Sequence, residues 1–181
     1  YRAFVADIYG NGQRAKNQEE AAQLATKFKS DRPLMRKRAA AALQALLANA
    51  PVDPNRVGAI GFCFGGTVAL ELARAGAPLA GVVSFHGGLD TPATLTSNIK
   101  AKVLALHGAE DPLVPQEQLA AFEDEMRKGK VNWEVVSYGG AVHAFTNPDA
   151  GTDISKGVAY NEIVAKRAYA AMESFFREVF T

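Results

Sequence analysis

Gly61-Phe62-Cys63-Phe64-Gly65-Gly66 lies between a short apolar run at 56–60 and a helical pattern at 67–74. The hexapeptide predicts a strand-to-helix turn, Gly-x-Cys-x-Gly, whose central residue has a strained backbone and projects its side chain above the sheet edge. Glycines are expected two positions to either side, because a Cβ there would collide with the neighbouring strand and helix. Serine is the usual central residue. Cys63, the only cysteine of the chain, therefore occupies the position of a nucleophile.

The composition is that of an ordinary globular protein. The 181 residues, 48% hydrophobic and 22% charged, suit one compact domain, which we predict to span 1–181. Acids and bases are interspersed at a net charge of +1, so we expect neither a nucleic-acid nor a membrane partner. A single cysteine forms no internal disulfide, which favours the cytoplasm. A periplasmic or secreted location stays open, because a chain that opens directly inside an apolar strand looks like a fragment, in which a targeting signal would not be visible.

Short apolar runs alternate with helical patterns along the chain. This alternation predicts an α/β fold with a mostly parallel sheet and helices on both faces. Two polar, glycine-rich loops, 9–17 and 147–157, follow strands at the carboxyl edge of the sheet, where ligands bind in such folds. The predicted strands are 3–8, 57–61, 81–85, 103–106 and 133–138, and the predicted helices are 18–29, 33–47, 67–74, 116–128 and about 158–180.

A thiol becomes a useful nucleophile when a base takes its proton and a third group orients that base. Of the three histidines, His143 lies just past the last predicted strand, on a loop that can reach the sheet edge. Asp111 follows the fourth run. The chain order Cys63, Asp111, His143 is the order that α/β-hydrolases use.

Each of these residues also has a structural interpretation. Cys63 could be a buried thiol beside a tight helix–strand contact. Asp111 precedes Pro112 and could simply form a turn, in which case Glu110 would be the alternative group to orient the histidine.

The other two histidines, His86 and His107, end strands and precede glycines. We interpret both as hydrogen-bonded loop formers, with His86 the more apt to line the pocket. We expect no metal site and no cofactor, because no two histidines have metal-ligand spacing on a helix and the cysteine has no partner cysteine.

These segments resemble the dienelactone hydrolase family of α/β-hydrolases. The family's cysteine turn is similar to 61–66, and its acid and histidine segments are similar to 107–111 and 140–145. The strand and loop that follow its oxyanion-hole region are similar to 4–10. The four motifs stand in the family's order and extend through nearly the whole chain.

The resemblance implies a hydrolase that cleaves a small-molecule ester or lactone. Cys63 would attack the carbonyl and give a thioester that water then hydrolyses. His143 would act as general base and then general acid, and Asp111 would hold its tautomer. The backbone N–H of Phe64 would donate to the developing oxyanion.

Two positions depart from the family pattern. Dienelactone hydrolases place one arginine in the loop after the first motif and another four residues beyond the catalytic histidine, where both meet the substrate carboxylate. The matching residues are Asn11 and Asn147, with Arg14 near enough to replace the first arginine. Neutral or differently placed polar esters should therefore be better substrates than carboxylated dienelactones. The residues expected to contact the substrate are Tyr9, Asn11, Arg14, Phe62, His86, Phe145 and Asn147.

The family's sheet begins with about three strands ahead of the one that opens this chain, and one of them lies between 3–8 and 57–61. Its absence would leave two rows of backbone groups unpaired. We therefore expect further, N-terminal polypeptide to complete the sheet. It should also carry the second oxyanion donor and a glutamate that contacts the resting thiol.

The sequence leaves three alternatives to hydrolysis. A thiol sensor or binding protein on the same fold would use Cys63 without turnover. An acyltransferase would pass the thioester to an acceptor other than water. A purely structural module would leave the ordered cysteine, aspartate and histidine unexplained.

Overall fold

The computed structural model describes residues 1–92 and 98–181, and the chain divides into two compact units, Tyr1–Pro54 and Asn55–Thr181. That both belong to one domain stays a prediction.

The first unit contains two helices, α1 (Gln18–Ser30) and α2 (Arg32–Asn49). Each begins at a polar cap: Asn17 accepts a 2.9 Å hydrogen bond from the N–H of Glu20, and Asp31 accepts one of 2.9 Å from Leu34. These bonds satisfy backbone donors that a helix start leaves unpaired. Both predicted helices of this unit are confirmed.

The first apolar run, 3–8, is not a strand, and that prediction is wrong. A strand exists through ladder hydrogen bonds to a neighbour, and no described residue pairs with 3–8 in this way. The chain turns instead: the Asp7 carboxylate accepts 2.8 Å hydrogen bonds from the N–H groups of Gly10 and Gly12. Arg38 of α2 donates to the carbonyl oxygens of Ile8, at 2.8 Å, and of Tyr9.

The second unit contains a four-stranded parallel sheet in the order β1-β2-β3-β4. Gly61 in the first strand aligns with Ser84 in the second, and Ser84 aligns with Ala105 in the third. Four of the five predicted strands are therefore confirmed. The strands are β1 (Gly58–Phe62), β2 (Gly81–Phe85), β3 (Lys102–Gly108) and β4 (Trp133–Tyr138).

The helices of this unit are α3 (Phe64–Arg74), α4 (Gln116–Lys128) and α5 (Glu162–Val179). Helix α3 begins three residues earlier than predicted, directly after Cys63. Helix α5 begins later than predicted, because the Asn161 side chain caps it by accepting a 3.1 Å hydrogen bond from Val164.

Helices α3 and α5 cover opposite faces of the sheet. A Cβ built on Gly61 would lie 1.9 Å from the Gly65 carbonyl oxygen in α3, whereas one built on Gly58 would lie 2.5 Å from Phe176 of α5. Positions three apart on a strand point to opposite faces. The prediction of a parallel sheet with helices on both faces is therefore confirmed.

The main core lies between the middle strands and α5. Its buried members include Val83, Phe85, Leu104, Leu106, Ala168 and Phe176. Among the residues that the structure describes, none of the helices has both the length and the apolar character needed to cross a bilayer.

Candidate active site

Cys63 lies at the turn between β1 and α3, with φ 49° and ψ −121°. A positive φ is uncommon for a residue other than glycine and stores backbone strain. The Cys63 N–H lies 3.1 Å from the Phe85 carbonyl oxygen and 3.2 Å from Nδ1 of His86. The end of β2 therefore fixes the position of the cysteine, which is half-buried.

The glycines beside this turn differ in why they are needed. At Gly61 a side chain would overlap the backbone of α3, as expected. At Gly65 an added Cβ meets no described atom within 4 Å, so the expected collision is absent there. The second close approach lies at Gly66, where a Cβ would be 2.5 Å from Ser84 Oγ. The backbone of the turn therefore makes its close contacts at Gly61 and Gly66, not at Gly65.

His143 and Asp111 form a part-buried pair. Nδ1 of His143 lies 2.8 Å from Oδ2 of Asp111, whose side chain is 0% exposed. The other carboxylate oxygen of Asp111 accepts a 2.8 Å hydrogen bond from the N–H of Leu113. Because Nδ1 is hydrogen-bonded to the carboxylate, the second ring nitrogen of His143 is the one that can exchange a proton with the Cys63 sulfur.

The backbone of His143 is held by the segment that leads to α5. Its N–H donates to the Gly157 carbonyl oxygen at 3.2 Å, and its own carbonyl accepts from the N–H of Ala159 at 3.1 Å. These bonds form a parallel bridge between His143 and Val158. The imidazole is therefore presented from a backbone anchored on both sides.

Glu110, the alternative group to orient the histidine, points elsewhere. Its carboxylate accepts a 2.8 Å hydrogen bond from the N–H of Gly140, and the residue is exposed. The structure places Asp111, not Glu110, against the imidazole of His143.

His86 contacts the sulfur from the other side. Its Nδ1 lies 3.4 Å from Cys63 Sγ, and its Nε2 lies 2.8 Å from Oγ1 of Thr146. At 1% exposure the ring offers almost no surface to a substrate, so it faces the thiol rather than lining an open pocket. Sequence reasoning missed Thr146, since no motif marks a threonine three residues past the histidine.

The two imidazoles beside Cys63 have opposite protonation preferences. Burial, followed by the nearby charge of His143, lowers the pKa of His86 to about 3. Burial also disfavours the charged form of His143, but its hydrogen bonds to Asp111 and Cys63 outweigh this and raise its pKa to about 9. Because its pKa is about 9, His143 is a cation beside the sulfur at neutral pH.

His107 lies inside β3 and is 2% exposed. Among the described residues neither ring nitrogen has a hydrogen-bond partner, so the expectation of a hydrogen-bonded loop former is wrong for His107. Burial lowers its pKa, which keeps the ring neutral.

Three expected substrate-binding residues of this unit have different environments. Phe62 is 42% exposed and stacks on Phe85 with ring centroids 4.6 Å apart. Phe145 is fully buried with its ring centroid 4.8 Å from that of His86, so it supports that ring and has no surface for direct substrate contact. Asn147 is exposed, and its side chain accepts a 3.1 Å hydrogen bond from Asp149.

Phe64 opens α3, immediately after the nucleophile position, so its N–H belongs to the first turn of the helix. Tyr9, Asn11 and Arg14 lie in the first unit, in the segment before α1. Asn11 and Arg14 are exposed, and Asn11 has a φ of 56°. Their contact with substrate stays a prediction.

Comparison with known proteins identifies the family. Residues 1–180 match the family model of the dienelactone hydrolase family. The chain belongs to this family. The resemblance and the α/β-hydrolase fold predicted from the sequence are therefore confirmed, and with them the hydrolase class of the family.

A solved dienelactone hydrolase-like promiscuous phosphotriesterase from metagenomic libraries is 44% identical, with a TM-score of 0.90, over 98% of this chain and 74% of that chain. An uncharacterized protein of Caenorhabditis elegans is 34% identical over 81% of this chain and 94% of its own. A Saccharolobus solfataricus protein, provisionally named carboxymethylenebutenolidase, is 33% identical over 69% of this chain. The chain spans 45% of that relative's length.

Proposed function

We propose that this dienelactone hydrolase family member cleaves a carboxylic ester or lactone with Cys63, His143 and Asp111. The observation that carries the proposal is the part-buried 2.8 Å hydrogen bond between Asp111 and His143, combined with ring nitrogens of His143 and His86 that lie within 4.8 Å of the Cys63 sulfur. Nucleophile, base and orienting acid then stand in one chain of contacts.

In the acylation step, the Cys63 thiolate attacks the carbonyl carbon and the carbonyl oxygen becomes an oxyanion. The N–H of Phe64, at the start of α3, donates to that oxygen. As the tetrahedral intermediate collapses, the protonated His143 gives its proton to the leaving alkoxide. An alcohol leaves, and the acyl group stays on sulfur as a thioester.

In the deacylation step, His143 is neutral and takes a proton from water as the water attacks the thioester carbonyl. Collapse of this intermediate releases the carboxylic acid and regenerates the thiolate beside a protonated imidazole. Asp111 acts throughout by keeping the Nδ1 proton in place and stabilising the cation.

Asn147 indicates the substrate class. It is exposed and carries no charge, so it offers no ion pair to a substrate carboxylate. A neutral ester should therefore be preferred. Specificity constants for matched neutral and carboxylated esters test this, and a clear preference for the acid contradicts it.

We further propose that additional polypeptide pairs with the open edge of β1. Within the described part of the chain, β1 pairs only with β2. Two apolar side chains of β1, Ile60 at 48% and Phe62 at 42%, are exposed. An unpaired edge of this kind invites another strand. A cooperative, stable monomer formed by these 181 residues alone would contradict the proposal.

The cytoplasmic location stays a prediction.

The deciding experiment for hydrolysis uses a chromogenic neutral ester with the wild type and with Cys63→Ala. We expect sustained product release that the variant loses, and an acyl adduct on the single cysteine in acid-quenched intact mass spectra. One equivalent of product followed by silence would instead indicate a thiol trap. Faster release with an added alcohol, together with a new ester product, would indicate acyl transfer.

A second activity is suggested by the 44% identity to the promiscuous phosphotriesterase. Cys63 could attack the phosphorus of a neutral aryl phosphotriester and displace the aryl oxide, and water activated by His143 would then release the phosphodiester. A neutral triester again suits the uncharged Asn147. The test is release of the aryl oxide by the wild type compared with Cys63→Ala, and equal rates would contradict it.

A further inference from the structure

We propose that the sulfur of Cys63 and the imidazoles of His86 and His143 form a binding site for a thiophilic divalent cation such as Zn²⁺, and that this cation inhibits the enzyme. The inhibitory role rests on the proposed function, because the bound cation would occupy the nucleophile and its base. The binding site itself rests on the three donors, which lie within 4.8 Å of one another.

The donor set has the chemistry of a zinc site, and the pair of Cys63 and His86 also has its spacing. Zn²⁺ binds thiolate sulfur and imidazole nitrogen readily, whereas Mg²⁺ and Ca²⁺ prefer oxygen ligands. In a tetrahedral site with Zn–S of about 2.3 Å and Zn–N of about 2.0 Å, sulfur and nitrogen are about 3.5 Å apart. The observed distance from Cys63 Sγ to His86 Nδ1 is 3.4 Å. That pair can receive a cation with little movement.

Each imidazole is also supported at its other nitrogen. His143 Nδ1 lies 2.8 Å from the Asp111 carboxylate, and His86 Nε2 lies 2.8 Å from the Thr146 hydroxyl oxygen. Histidines that bind metals almost always use the second nitrogen in this way, which fixes the tautomer and the ring orientation. The arrangement therefore goes beyond three donors that happen to be close.

Access and proton balance are both compatible with a cation. Cys63 is half-buried and the His143 side chain is 14% exposed, so the cation can enter from their side while His86 lies beneath. Binding forms one bond to sulfur and two to nitrogen, and it releases the proton that sulfur and His143 share. Three protein ligands leave a fourth position for water.

Sequence spacing alone predicts no metal site, because the three proposed donors are far apart along the chain. The donors come from the ends of β1 and β2 and from the loop after β4, so no short repeat brings them together. The parallel sheet does so, because all its strands end at one edge.

Co²⁺ alone, added to reduced protein freed of chelating thiols, is the probe. We expect one equivalent to bind, with a thiolate-to-cobalt charge-transfer absorption in the near ultraviolet and the visible bands of tetrahedral Co²⁺. Zn²⁺ should remove both signals. Cys63→Ser should abolish the charge-transfer absorption, and His86→Asn should weaken binding at least tenfold.

Two further variants control the experiment. His107→Asn replaces the remaining histidine, which lies outside the cluster, and should leave cobalt affinity unchanged. Thr146→Val keeps all three donors but removes the support of His86, and should weaken binding about tenfold. Absence of binding, a cobalt spectrum without the thiolate absorption, or equal affinity in Cys63→Ser, His86→Asn and the wild type would overturn the proposal.

The proposal of ester hydrolysis and the proposal of a cation site can each be contradicted without the other. Zn²⁺ should inhibit ester turnover, and a chelator should restore it. If the protein hydrolyses no ester, the cobalt spectrum still decides whether the cation site exists. If hydrolysis is normal and the spectrum is silent, only the cation proposal is lost.

Discussion

Two polar clusters in the second unit follow opposite rules. The Arg74 cluster joins Arg74 and Glu71 of α3 to Glu125 of α4. Its guanidinium is buried and donates twice to Glu125, at 2.8 and 2.6 Å, and once to Glu71 at 3.0 Å. The sulfur cluster is formed by Cys63, His86 and His143, whose sulfur and ring nitrogens lie within 4.8 Å of one another, with no arginine or lysine among them.

The contrast shows what separates a structural polar cluster from a reactive one. Arg74 meets its opposite charges in bidentate geometry, which satisfies its donors and leaves nothing for an outside reagent. Cys63 has a strained φ and is half-buried, beside one imidazole that favours protonation and one that resists it. The different protonation preferences of His86 and His143, beside a half-buried Cys63, are typical of a catalytic site.

The largest expected effect comes from Asp111→Asn, which removes the charge that orients His143. We expect kcat for a neutral ester to fall about 10³- to 10⁴-fold, because the amide favours the wrong tautomer and does not stabilise the imidazolium. Steady-state kinetics measure this, with circular dichroism to check the fold. A loss of less than tenfold would mean that Asp111 does not orient the base.

Arg74→Met should break the structural cluster without touching the reactive one. It removes the buried cation that forms ion pairs with Glu71 and Glu125, and we expect a loss of about 3–5 kcal/mol in the free energy of unfolding. Turnover per folded molecule should stay unchanged. Arg177→Met is the matched control: its ion pair with Glu173 is 76% and 58% exposed, so removing it should cost less than about 1 kcal/mol. Equal effects of the two variants would refute the contrast.

The pH dependence of stability should report the raised pKa of His143. Because that pKa is about 9 in the folded chain and about 6.5 when unfolded, its stabilising effect is complete below pH 6.5 and is lost as the pH rises through 9. The slope should approach 1.4 kcal/mol per pH unit. Denaturant unfolding between pH 6.5 and 9 measures it. Asp111→Asn should flatten the slope, and an unchanged slope would assign it to another group.

Thr146→Val should give the smallest effect. It removes one hydrogen bond to the buried His86 and should lower the free energy of unfolding by about 1 kcal/mol. The kcat should fall less than tenfold, because no group of the proposed reaction is removed. Chemical denaturation and ester kinetics measure the two effects, with Thr181→Val at the chain end as the control. A large loss of kcat would give His86 a direct part in the reaction.

The sequence allowed much of this fold to be predicted, because its signals are local. Apolar runs and helical spacing located four strands and five helices, and the glycines around Cys63 located the turn. The run at 3–8 has the same local signal but no described pairing partner. Strand formation depends on that partner, which local sequence does not encode.

The candidate site was predictable only in part. Chain order and strand ends pointed to Asp111 and His143, which the structure places 2.8 Å apart. The contact of His86 with the sulfur, and its support by Thr146, depend on how β2 and the loop after β4 meet in space. No spacing along the chain encodes that meeting.

The bridge between His143 and Val158 has a consequence for engineering. Val158 lies only four residues ahead of α5, whose buried Ala168 and Phe176 pack into the sheet core. A C-terminal truncation, or a bulky fusion that displaces α5, would weaken the bridge that holds the backbone of His143. The His143 imidazole would then lose its alignment with Cys63 because of a change made at the C-terminal helix.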